Sequence, residues 1–488
     1  MGTAVLGPVT RPGAEEPKVI AAVPVAPSWR DDACGLLARY GAKETMPSTV
    51  LETLLERIAR IDPALGAYCA LDPAVHKAAL ASDERWAAGR PCGTLDGVPL
   101  IIKDNLAVRG LPVSWGNAAL ATRRVEADEL PVERLREAGA LLLGKGNTPE
   151  FAVEGYTGNR HFGVTGNPFA PSLTPGGSSG GVATAVAAGL ASAGIGTDGG
   201  GSIRRPAGYC GLVGLKPGIG RVARAGGLPQ LLLDFEVVGP LCRSVRDAAL
   251  LFHALAGGAR SDPLSRRQVP VRSAPLGRVL LVRSIGEAPV DPVITHAVER
   301  AATVIERMGC EVREGVLPFD LEPLQAGWSC LAEIGLADLF ERDEAIGLAA
   351  TSRYRDMAAR GRTHPAMRLW ELLENVRALR ASASEAFQGV DAILMPSSAA
   401  MPWRASEPFP FRIDGVPVGP RGHAVFTGWV NAAGHPALAL PAPVPVGSLP
   451  IGVQLVADLA CEEALLELGT AYEREAGGFQ WPTERCQP

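Results

Sequence analysis

A chain of 488 residues with 47% apolar and 20% charged side chains has the balance of a globular protein with a large buried core, which excludes a disordered or fibrous chain. Its net charge of −5, with no clustered basic patch, argues against a nucleic-acid surface. Nine cysteines, scattered singly and without a CxxC pair, argue against a disulfide framework or a zinc site and fit thiols in a reducing, cytoplasmic setting.

In chain order, residues 1–27 lack a charged segment followed by a continuous apolar run, so they predict neither a signal peptide nor a membrane span but a mobile arm ahead of one large domain over 28–488. Thr49-Val50-Leu51-Glu52 matches a capping box, and Val50, Leu51, Leu54, Leu55, Ile58 and Ile61 recur at helical spacing up to Asp62-Pro63. Gly97 to Ile102 is an apolar, β-branched strand that ends abruptly in Lys103-Asp104-Asn105. A lysine closing a buried strand is costly unless it reaches water, pairs with a neighbour such as Asp104, or is neutralised. Residues 132–146 predict a helix and then a strand. Gly139 to Lys145 spells GxxxxGK, but Gly146 follows where a nucleotide loop needs Ser or Thr, and the glycines bracket an apolar strand.

The run Pro175 to Pro206 holds two glycine-wrapped serine sites, Gly176-Gly177-Ser178-Ser179-Gly180-Gly181 and Gly199-Gly200-Gly201-Ser202, separated by an alanine-rich stretch that predicts a buried helix. Successive glycines let backbone N–H groups approach an anion, either a phosphate or the oxyanion of acyl transfer. Beyond it, 211–215 predicts a strand and 245–256 a helix, and 276–314 reads strand, helix, strand, implying some parallel pairing. Residues 321–388 are mostly helical and form an insertion. Strands follow at 391–396, 437–440 and 451–456, with a proline-rich loop at 408–420 and a terminal helix at 461–475. The fold class is therefore α/β, a mixed central sheet flanked by helices in a single large domain.

None of the seven histidines lies in a motif that marks a triad base, and HExxH is absent. A lysine whose pKa is lowered by burial can be the base instead, with one serine relaying the proton to another. Ser178, Ser202 and the following Ile203-Arg204-Arg205-Pro206-Ala207, with Gly97 to Asp104 upstream, resemble the amidase signature family. Asn147 to Phe151 and Gly211 to Pro217 also match that family's text, most strongly over 45–255 and more loosely to about 475.

The resemblance implies that Ser202 is the nucleophile, Ser178 a bridging serine after a cis Gly177–Ser178 bond, and Lys103 the base. It implies an oxyanion hole from the backbone of Gly199, Gly200, Gly201 and Ser202. Ser179 supports the loop by hydrogen bonding, as do Asp198 and Arg204 as a charge pair, and no cofactor or metal is required. The expected activity is hydrolysis of aryl or alkyl amides, extending to carbamates or esters. The expected partner is a small-molecule amide, with no nucleic acid or membrane, and the chain acts as a monomer or homodimer. Pocket walls are expected from Glu150 to Tyr156 and from the C-terminal half, including the variable helices of 321–388, with Trp328, Leu331, Trp370 and Trp403 as candidates against plain core packing.

Two alternatives stand beside this. One is the A subunit of a tRNA-dependent amidotransferase, although the tail from Phe426 to Ala437 looks more like stand-alone bacterial amidases. The other is a phosphate- or nucleotide-binding protein, which lacks the Lys-Ser/Thr ending and the acidic magnesium partner of such sites.

Overall fold

The computed structural model describes residues 28–267, 270–272 and 274–483, so the arm expected over 1–27 lies outside the described residues. Eleven strands build one sheet: Tyr68–Leu71 (β1), Pro99–Lys103 (β2), Leu141–Gly146 (β3), Ala193–Asp198 (β4), Val213–Lys216 (β5), Val237–Cys242 (β6), Arg278–Leu281 (β7), Glu311–Glu314 (β8), Ala392–Pro396 (β9), Ala437–Pro441 (β10) and Gly452–Ala457 (β11). Across the sheet they lie in the order β1-β3-β2-β4-β6-β5-β10-β11-β9-β7-β8. Two parallel trios, β3-β2-β4 and β9-β7-β8, flank an antiparallel centre.

Side-chain alternation divides the core in two, because successive residues of a strand face opposite ways. Leu100, Ile102, Leu438, Leu440, Leu394 and Leu455 join one cluster with the helices Val245–Leu255, Pro292–Arg307 and Glu462–Ala476. Ile101 and Ala439 face the helices Pro47–Leu65 and Gly180–Ala187, while Ile393, Met395 and Val456 face the helical insertion. Both faces are covered, as near-continuous apolar strands require. The insertion consists of the helices Glu322–Arg342, Glu344–Ala349, Ser352–Thr363 and Ala366–Ala386.

Three sequence expectations change. The helix expected from Thr49 begins at Pro47, whose missing N–H suits the first turn. The capping box therefore does not form, and Asp83 instead accepts from the Ser48 N–H at 3.0 Å and from its hydroxyl. The alanine-rich run between the serine sites divides into a helix ending at Ala187 and the strand β4, whose Ile195 and Thr197 are its only β-branched members. Pro408 to Pro420 carries a two-residue ribbon, Arg412–Ile413 with Val416–Pro417.

The helix after Ser179 sits so close to its neighbours that a Cβ on Gly181 would lie 2.3 Å from the Asn147 nitrogen and 2.6 Å from the Ala67 oxygen, both backbone atoms. Gly181→Ala is expected to lower stability by about 1–3 kcal/mol, whereas Gly419→Ala, with open space around it, changes it by less than about 0.5 kcal/mol. Urea midpoints measure both, and equal midpoints would refute the close packing.

Candidate functional site

Lys103 closes β2 and is wholly buried. Its Nζ stands 2.7 Å from Ser178 Oγ, 2.8 Å from Thr197 Oγ1 and 3.3 Å from the Thr197 carbonyl on the adjacent strand β4. A neutral amine can satisfy all three, with two N–H groups for Thr197 and its lone pair for the Ser178 hydroxyl. Burial brings the Lys103 pKa down to about 7, against the pull of Glu236 and Asp198 and with the help of Arg224 and Arg205. Both nearby acids are held by other cations: Glu236 pairs with Arg224 at 2.6 Å, and Asp198 with Arg204 at 3.0 Å. Asn105 donates to Thr197 Oγ1 at 3.0 Å and to Glu236 at 3.2 Å, linking the two sides.

The alternative pairing of Lys103 with Asp104 does not occur. Asp104 accepts from Ser114 and lies 3.6 Å from Lys145 of β3. Lys145, the lysine of the GxxxxGK string, donates to the carbonyls of Asp104, Leu106 and Pro112 and is a buried structural cation.

The peptide bond Gly177–Ser178 is cis. Thr148 Oγ1 donates to the Ser178 carbonyl at 2.9 Å, and the Ser179 N–H donates to the Ser202 carbonyl at 3.2 Å, which clasps the two serine loops together. Ser179 Oγ donates to the Thr197 carbonyl at 3.2 Å. Lys103 and Ser178 are fully buried, while Ser202 keeps 7% exposure and lines a cavity of about 800 Å³. Of the three, only Ser202 meets the space a substrate would fill.

Asp198 organises the second loop. It accepts from the N–H groups of Gly201 at 2.6 Å, Ile203 at 3.1 Å and Arg204 at 3.3 Å, and from the Arg204 guanidinium through both oxygens. Burial alone would raise its pKa, but the charge and hydrogen bonds of Arg204, with Lys216 and Asn431, hold it well below the usual carboxylate range. Gly201 has φ of 111°, and a Cβ there would lie 2.3 Å from Arg205 Nη1, so only glycine fits. With the Gly201 N–H engaged by Asp198, the loop amides with no acceptor among the described residues are those of Gly199, Gly200 and Ser202, all three of which line the cavity.

The wall expected from Glu150 to Tyr156 is present through Ala152, Val153, Glu154 and Gly155. Of the four aromatic and aliphatic candidates only Trp328 lines the cavity. Leu331 packs in the core, Trp370 is solvent-exposed, and Trp403 packs on Tyr209 and His423. Sequence reasoning missed Thr197, Asn105, Arg205, Thr427, Asn431 and Arg421. The text Phe426 to Asn431 stands out in the sequence only as a resemblance, although Thr427 and Asn431 both bond the serine loop. Among the described residues no His, Cys, Asp and Glu cluster is disposed to hold a metal, no helix is long and apolar enough to cross a membrane, and the cysteines are free thiols.

The Amidase family model matches residues 49–466, and the chain belongs to that family. It is 34% identical over 480 residues to the glutamyl-tRNA(Gln) amidotransferase A subunit of Anaeromyxobacter sp. (strain K), covering 92% of this chain and 96% of that one. A bacterial aryl acylamidase of the amidase signature enzymes family superposes with a TM-score of 0.84 and 28% identity over 91% of this chain and 96% of that one. The native peptide amidase from Stenotrophomonas maltophilia superposes with a TM-score of 0.80 and 29% identity, over 93% and 98%.

Because Asp198 and Arg204 are both fully buried, removing either leaves an uncompensated charge. Asp198→Asn and Arg204→Met are each expected to cost about 3–5 kcal/mol, and the double variant less than the sum of the two. Chemical denaturation of the four proteins measures the cycle, and strictly additive losses would show that the pair is not coupled.

Proposed function

We propose that the chain hydrolyses a carbon–nitrogen amide bond through an acyl-enzyme on Ser202, with Ser178 and Lys103 as the proton relay. The observation that carries this is a buried lysine amine, without a carboxylate partner among the described residues and 2.7 Å from Ser178, in a site where Ser202, of the three relay residues, opens to the cavity. Neutral Lys103 takes the Ser178 proton as Ser178 takes that of Ser202, and Ser202 Oγ bonds to the substrate carbonyl carbon. The resulting oxyanion is held by the amides of Gly199, Gly200 and Ser202, a contribution of roughly 3–4 kcal/mol per well-placed donor. The relay then returns the proton to the leaving nitrogen as the C–N bond breaks. Water, deprotonated by the same route, releases the acid and restores Ser202.

A cavity of about 800 Å³ suits a small-molecule amide. Aryl or alkyl amides, carbamates and esters all fit this acyl chemistry. Free thiols support a cytoplasmic location, and the net negative charge supports a chain that binds no nucleic acid. The curated relatives support a second reading, in which the same relay frees ammonia as the A subunit of a tRNA-dependent amidotransferase.

The test is product release from one anilide, one aryl carbamate, one ester and one primary amide by wild type, Ser202→Ala and Lys103→Met. Both variants are expected to lose at least about 10³-fold in kcat/KM. Because the neutral amine is the active form and the Lys103 pKa lies at about 7, kcat/KM should rise tenfold per pH unit below 7 and level off above it. An active Ser202→Ala removes the nucleophile. Failure of wild type on all four, with ammonia released from glutamine once partner proteins are supplied, selects the second reading.

A further inference from the structure

The cavity carries charges that the relay does not use. Glu154 pairs with Arg353 at 2.8 Å, and Glu333 with Arg360 at 2.8 Å and with His364 at 2.7 Å. Arg205 turns its guanidinium onto the Gly200 carbonyl, Thr427 Oγ1 and the Gly177 carbonyl. Asp356 stands exposed among the lining residues.

Arg421 differs from the rest. Its guanidinium has neither a hydrogen bond nor a carboxylate partner among the described residues, and the guanidinium carbon lies 4.9 Å from the centroid of the Trp328 ring. That ring is itself stacked on Phe235, with centroids 5.9 Å apart and planes inclined by 24°. A cation–π contact orients the guanidinium yet leaves its donor edge unspent. Its Nη2 lies 3.9 Å from the point where a Cβ on Gly200 would stand, next to the loop amides. Arg421 also joins the main cavity to a smaller one of about 240 Å³ whose walls include Leu321, Leu324, Val425 and Trp429. The residue is exposed at the cavity, and its guanidinium stays protonated at neutral pH.

We propose that Arg421 binds a carboxylate carried by the substrate, so that the chain acts on anionic amides whose apolar portion lies against Trp328 and the smaller cavity. This rests on Ser202 as the nucleophile. A planar guanidinium with a free edge matches a carboxylate bidentately, and an unneutralised cation in a partly desolvated cavity discriminates between an anionic and a neutral group of equal size. The carboxylate sits on the acyl side or on the amine side of the scissile bond, and substrate pairs distinguish the two.

Succinyl-4-nitroanilide is compared with butyryl-4-nitroanilide for the acyl side, and 4-acetamidobenzoate with 4-acetamidotoluene for the amine side. Wild type is expected to favour the carboxylate-bearing member of one pair at least tenfold in kcat/KM. Arg421→Gln should lower that ratio at least tenfold, and Arg421→Lys should lower it less. Calorimetry reads the site without turnover: Ser202→Ala protein should bind succinamate or 4-acetamidobenzoate, and adding Arg421→Gln should weaken that binding at least tenfold. No carboxylate preference in either pair, or a preference and binding unmoved by Arg421→Gln, overturns the proposal. Arg421-dependent binding by a protein that hydrolyses none of the four would instead count against hydrolysis of such amides by this chain and leave the anion site standing.

Discussion

The amine of Lys103 is buried without a counterion among the described residues, and the arrangement around it follows from that constraint. A charged ammonium in a dry site is unfavourable, so burial brings the pKa of an unpaired amine down, here to about 7. The chain shows the other solution one strand away. Lys145, equally buried, has Asp104 at 3.6 Å and three carbonyl acceptors. Lys103 faces a threonine and a serine instead, and the acids that would keep it protonated are occupied by Arg204 and Arg224. Two lysines on neighbouring strands thus differ because their partners differ, and only one retains a usable lone pair.

Those arginines also tie the serine loops to the rest of the chain. Arg204 reaches Gln454 at 2.8 Å and the Thr427 carbonyl at 3.1 Å, while Asn431 donates to the Asp198 carbonyl at 2.7 Å and to the Phe235 carbonyl at 3.1 Å. The proposed nucleophile lies in the first half of the chain, but the shape of its loop depends on residues more than two hundred positions later. The helical insertion supplies cavity wall from outside this network, which lets specificity vary while the loop stays fixed.

The same distinction explains what the sequence revealed. The helix over Pro47–Leu65 and the parallel unit over 276–314 were legible because each has a single apolar period and packs against a face that this period predicts. Lys103, Ser178 and Ser202 were legible because glycine-wrapped serines and a lysine ending an apolar strand are unusual text. β4 was hidden because its glycines, Gly194 and Gly196, lie under the helix Gly180–Ala187 and the preceding Ser179, where small size counts for more than β propensity. Thr197 and Asn105 are ordinary residue types whose importance comes from which strand lies beside β2, and that is a tertiary fact. Trp370, Trp403 and Leu331 looked like pocket candidates because bulky side chains serve a wall and a core equally well.

The glycine loop gains its value from being fixed rather than flexible. Arg205 and Thr427 both donate to the Gly200 carbonyl, and Asp198 accepts from the Gly201 N–H, so both polar groups of the Gly200–Gly201 peptide are already committed. With that plane locked, the N–H groups left over belong to Gly199, Gly200 and Ser202, at the cavity wall. Donors held in place before charge develops need no reorganisation when it does, which is the condition under which an oxyanion site is most effective. The positive φ of Gly201 is what allows Arg205 and Thr427 to close on this peptide, since any side chain there would push both away. In the proposed acyl transfer the buried Asp198–Arg204 pair therefore contributes by fixing peptide planes, at a distance from the reacting atoms.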